Sequence, residues 1–152
     1  VSVAGYIRMP MYQNVASGST FNLLQVKPDA AGKDFYFDLF DVGDGAVPEV
    51  TVLPPLESGL ADTALTNCKY KTSLASTTYL NANKDGYCRF QTNAANGKVF
   101  SMIIPIPNGY TCDYTSPGGC WFRVAVNWSG GQPSDITTWN ASIGGNALRL
   151  VQ

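Results

Sequence analysis

The chain has 152 residues, a formal net charge of -1 and no histidine, and 45% of its residues are hydrophobic. That size fits one ordinary domain able to bury its own core, and the hydrophobic share excludes wholesale disorder. Lys and Arg are scattered rather than clustered, which argues against nucleic acid as a partner. No apolar run approaches the ~18 residues of a membrane span.

In chain order, Val1–Tyr12 is apolar and extended in character, with a strand expected from Val3 to Met9, and a Ser/Gly-containing stretch follows from Gln13 to Ser19. Such an arm forms either the first strand of its own sheet or a strand lent to a neighbouring subunit, which makes Val1, Val3, Tyr6, Ile7 and Met9 candidate subunit contacts. The next strand is expected over Phe21–Val26. Lys33–Asp41 alternates Phe35, Phe37 and Leu39 with Tyr36, Asp38 and Phe40, the period of a strand. It ends in the turn Val42-Gly43-Asp44-Gly45. Glu49–Leu53 forms a further strand that stops at Pro54-Pro55.

From Glu57 to Lys84 the chain is polar and without period, which reads as a long excursion. Strands then follow at Tyr87–Thr92, Val99–Ile106, Trp121–Trp128, Thr137–Ile143 and Ala147–Val151, separated by Gly, Pro, Asn and Ser clusters. No segment keeps a helical apolar period over three turns. The expected fold is one all-β domain over residues 1–152, an antiparallel two-sheet sandwich of the immunoglobulin or jelly-roll kind.

Cys68, Cys88, Cys112 and Cys120 form no CxxC pair, and without histidine a zinc site has little support. An even count at wide spacing favours two disulfides and an oxidising compartment. Three connectivities exist, and Cys68–Cys88 with Cys112–Cys120 is preferred because each closes a loop within one neighbourhood. The alternative is four buried thiols.

Catalysis has few candidates. A Ser–His or Cys–His pair is impossible. Asp38, Asp41, Asp44 and Glu49 cluster in sequence, but carboxylates three apart on a strand point to opposite faces. The expectation is therefore no enzyme and no cofactor, with a carboxylate hydrolase as the third choice. The same Asp38, Asp41 and Asp44 supply oxygen ligands for Ca²⁺ on a glycine turn, although without an EF-hand register; the plainer alternative is a turn that caps its own backbone. Tyr110 and Tyr114 flank Cys112 in a Pro/Gly-rich loop and are candidates for an exposed carbohydrate platform, whereas Trp121 and Trp139 are expected in the core.

Several pieces resemble one bacterial family. They are Gly32 to Asp44, Val52-Leu53-Pro54-Pro55, Ile104 to Cys112, Gly119 to Val124, and Asp135–Trp139 through Leu148–Val151. Together they are similar to the C-terminal ectodomain of the tight-adherence (Tad/Flp) pilus-associated proteins of the TadE/TadG-like type. The resemblance implies an envelope or pilus-associated role without an active site, at the bacterial cell surface, with self-association or other pilus and envelope proteins as partners. Such proteins carry an N-terminal membrane helix that this sequence lacks, so a membrane contact would run through an anchor absent from it. A calcium- or carbohydrate-binding extracellular module is the alternative expectation.

Overall fold

The computed structural model describes residues 8–13, 18–42, 47–71, 77–91, 98–112, 115, 119–129 and 137–143. Among them the regular structure is β-strand apart from two single 3₁₀ turns, at Pro28–Ala30 and Leu56–Ser58. The strands are β1 (Arg8–Gln13), β2 (Ser19–Gln25), β3 (Asp34–Val42), β4 (Val47–Leu53), β5 (Lys69–Lys71), β6 (Leu80–Asn81), β7 (Asn83–Lys84), β8 (Tyr87–Gln91), β9 (Lys98–Pro105), β10 (Trp121–Ser129) and β11 (Thr137–Ile143).

They form two antiparallel sheets, one in the order β1-β11-β3-β9-β5-β6 and the other β2-β10-β4-β8-β7. The pairing is nested: β1 with β11, β2 with β10, β3 with β9 and β4 with β8. A long hairpin ribbon folded across two sheets gives this order, which is the jelly-roll form of the sandwich. β5, β6 and β7 lie at the tip of the ribbon and widen both sheets at one side.

Alternation decides what the sandwich buries. In β10, Phe122, Val124 and Val126 are buried, whereas Trp121, Arg123 and Ala125 are partly exposed on the outer face. β4 adds Val50 and Val52, β8 adds Cys88 and Phe90, and the facing sheet adds Phe35, Met102 and Ile104. Aromatic rings join the two layers. Phe35 stacks on Phe122 at 5.3 Å between centroids, and Tyr70 stacks on Phe90 at 4.5 Å. Full burial of one such large apolar side chain contributes about 1.5–3 kcal/mol.

Both preferred disulfides are present, Cys68–Cys88 and Cys112–Cys120. Cys68 immediately precedes β5 in one sheet and Cys88 lies in β8 of the other, so this bridge joins the two layers.

The excursion from Glu57 to Lys84 is not without structure, as its polarity suggested. It holds β5, β6 and β7, buries Leu65 and Ala82, and passes from one sheet to the other at Ala82. The Ala82 N–H donates to the Cys68 carbonyl (2.8 Å), and its carbonyl accepts from the Arg89 N–H. Strands of two or three residues are too short to show a side-chain period, because backbone pairing alone defines them.

Of the first strand expected over Val3–Met9, residues 3–7 lie outside the described residues; the described strand covers Arg8–Gln13 and pairs with β11 of its own sheet. The strand expected at Ala147–Val151 lies outside the described residues.

Candidate functional site

The connections β2–β3, β4–β5 and β9–β10 meet at one end of the sandwich. The Val26 N–H donates to the Cys120 carbonyl (2.8 Å), the Gly32 N–H to the Ile106 carbonyl (2.9 Å), and the Ile106 N–H to the Lys33 carbonyl (2.9 Å). Gly32 adopts φ +80°, and a Cβ there would lie 2.6 Å from Asn108 Oδ1, so the turn requires glycine.

Tyr110 is the centre of this end and corrects an expectation. It is 1% exposed, not part of an exposed platform. Its ring packs 5.7 Å from that of Phe122, and its hydroxyl donates to the Val26 carbonyl at 2.6 Å. Cys112–Cys120 ties the segment that carries Tyr110 to the residue before β10, and both cysteines are buried with it. Burial, and secondly the negative charge of Glu57, hold the phenol well above its ordinary range. Below the ordinary tyrosine value of about 10, folded and unfolded chains both keep this proton. Above it only the unfolded chain releases the proton, so stability falls as the pH rises. Tyr110→Phe is expected to cost about 1–2 kcal/mol at neutral pH, through the unpaired Val26 carbonyl. The same variant loses less stability between neutral and alkaline pH than the parent, which urea melts across that range would measure.

The outer face of the five-stranded sheet carries the densest polar arrangement among the described residues. Across the strands the register aligns Ala125 with Thr51 and Arg89, and Asn127 with Glu49 and Gln91. Arg89 Nε donates to Thr51 Oγ1 (2.7 Å) and lies 3.8 Å from Glu49 Oε1, while its Nη1 lies 3.4 Å from Asp85 Oδ2. Its guanidinium sits over the Tyr87 ring at 4.5 Å. Lys84 Nζ donates to Glu49 Oε2 (3.0 Å) and to Gln91 Oε1 (3.4 Å). These groups cover Thr51, which is 4% exposed although it faces away from the core.

Further along β10, Arg123 Nη2 donates to the Pro54 carbonyl (2.7 Å) and reaches Asp62 Oδ1 at 3.3 Å. Trp121 lies on the same face, half-buried, rather than in the core as expected. The chemistry of this face is hydrogen bonding and ring stacking from fixed positions. Exposed ion pairs of this type add little to stability, so their consequence is a charge-balanced surface.

The remaining candidates that are described are placed by their backbone register. Asp38 lies in the middle of β3, opposite Ser101 and Asn140. Asp41 falls where the β3–β9 register shifts, between Leu39 and Val42. Asp44 and Tyr114 are outside the described residues, as are Val1, Val3, Tyr6 and Ile7. Met9 sits in β1, opposite Ala141. No group of three or more metal-ligating side chains gathers among the described residues.

Trp121, Arg123, Arg89 and Thr51 were not singled out as a site in the sequence. Arg123 was the available signal: a cation between Phe122 and Val124 marks the outward parity of its strand, and therefore that of Trp121.

Fold and surface together define a disulfide-clamped jelly-roll domain with a fixed polar outer face. No family model, curated protein or solved structure matches the chain.

Proposed function

We propose that the chain is a non-catalytic structural or adhesive domain of a bacterial cell surface, belonging to a pilus or its assembly apparatus. The observation that carries this reading is the buried Cys68–Cys88 bridge between the two sheets. A structural disulfide at that position belongs in an oxidising compartment, and a jelly roll clamped in this way suits a domain that works without chaperones outside the cell. Further support comes from the pieces that resemble the Tad pilus-associated ectodomain. Of these, Gly32 to Asp44, Val52 to Pro55, Ile104 to Cys112 and Gly119 to Val124 are separate in sequence yet linked in space: Gly32 donates to Ile106 and Ile106 to Lys33, Arg123 donates to Pro54, and Cys112–Cys120 ties the third piece to the fourth. The chemistry of such a domain is surface contact with other envelope proteins.

Immunogold electron microscopy of intact cells of the source organism, with antibody against the folded domain, tests this. Gold on the envelope surface or on filaments is the expected result; label confined to the cytoplasm would overturn it.

A carbohydrate-binding module is the second reading, favoured by half-buried Trp121 beside Arg123 on the outer sheet face. Stacking of a sugar ring on Trp121 would quench its fluorescence on addition of oligosaccharide, and loss of that quenching in Trp121→Ala would assign it to this residue.

A further inference from the structure

Among the described residues each sheet has two edges: β1 and β6 in the first, β2 and β7 in the second. An edge strand offers unpaired N–H and C=O groups to any extended chain, and a long, regular, uncharged edge invites a second copy to pair with it. All four edges here carry an interruption.

β6 and β7 are two residues each, too short to template a strand. They are joined through Ala82, whose backbone N–H and carbonyl are bonded to Cys68 and Arg89, and the Cys68–Cys88 bridge lies beside that crossing. β7 also ends in charged Lys84. β1 is longer, six residues, but its third residue is Pro10, opposite Asn140. A proline in a strand sits with its nitrogen turned away from the paired neighbour, so the free side of β1 lacks a donor near its middle. β2 is the longest edge at seven residues and carries no charge. Its pairing with β10 shifts between Phe122, opposite Leu24, and Arg123, opposite Asn22. Leu23 is therefore an extra residue, a bulge that bends the strand and breaks its row of donors and acceptors.

We infer that both sheets are closed to strand addition: Pro10 guards β1, the Leu23 bulge guards β2, and the Ala82 crossing guards the β6–β7 side. A neighbouring copy, or an N-terminal arm donated by one, finds no receptive edge. Contacts with partners then run through the sheet faces and connections. The inference holds wherever the domain is displayed, so its failure would leave the surface assignment standing.

Sedimentation velocity over a wide concentration range tests it on the parent chain, Pro10→Ala and a deletion of Leu23. The parent is expected to sediment as one species of 16.3 kDa throughout. Each variant that retains the parent's near-ultraviolet circular dichroism is expected to associate with rising concentration. Its mass increases about twofold, as symmetric pairing of like edges gives, with new hydrogen-exchange protection in the altered strand. Parent association with new protection in β1 or β2 would overturn the inference. So would a folded Pro10→Ala that stays monomeric; this single substitution decides the matter even where the deletion fails to fold.

Discussion

Replacing Cys68 and Cys88 together with alanine is expected to lower the unfolding free energy by about 3 kcal/mol, and the melting temperature by roughly 10 °C for a domain of this size. The bridge closes a loop with a sequence separation of 20. It also does what no backbone bond of either sheet does, since it ties β5 of one layer to β8 of the other. Both sulfurs are buried, and the crossing at Ala82 is built against them. Without the bridge, the excursion between β4 and β8 regains its freedom in the unfolded chain. The Tyr70–Phe90 stack and the backbone bonds of Ala82 are then left to hold that side of the sandwich. The same replacement at Cys112 and Cys120, whose separation is 8, is expected to cost less, about 2.5 kcal/mol by the same loop-closure argument. Urea titrations of the two double variants give both numbers. A loss below about 1 kcal/mol for the first pair would mean that packing alone secures the layers.

Phe122→Ala is expected to be at least as severe, at about 3–5 kcal/mol. Phe122 is fully buried at the start of β10, stacked on Phe35 of the opposite sheet and in contact with Tyr110 of the end connection. It is thus a ring that touches both layers and the closed end. Its truncation leaves a cavity that β10 is poorly placed to fill, because β2 and β4 hold the strand on either side. Combined with Tyr110→Phe the losses are expected to be non-additive, as the two rings are in contact. Additive losses in a double-mutant cycle would show that the end connection is energetically separate from the core.

The long strands were legible in the sequence because their side chains alternate. β3, β4, β8, β9, β10 and β11 lie within two residues of their expected bounds, and Phe35, Val50, Val52, Phe122 and Val124 face inward. Cysteine spacing was similarly informative. The jelly-roll order was not, since it rests on which distant strands pair, and pairing such as that of β4 with β10 leaves no local mark.

Each misreading has its own physical cause. Tyr110 sits in a segment with the composition of an exposed loop, yet a disulfide two residues away ties that segment to buried Cys120. β5, β6 and β7 are paired through backbone groups only. Trp121 was assigned to the core by residue type, although the apolar positions Phe122, Val124 and Val126 had already claimed the inward parity of the strand. The Arg89–Thr51–Glu49 arrangement depends on residues some forty positions apart and became visible only once β4 and β8 were side by side.

Peptide mapping of the protein taken from its own cells, alkylated before lysis and digested without reduction, tests the account most directly. It asks both how the fold is tied and where the domain lives. The predicted result is two cross-linked peptide pairs, Cys68 with Cys88 and Cys112 with Cys120, and no alkylated cysteine. Alkylation of all four cysteines would contradict an oxidising compartment, and a link between Cys68 or Cys88 and either of the other two would contradict the clamp between the sheets.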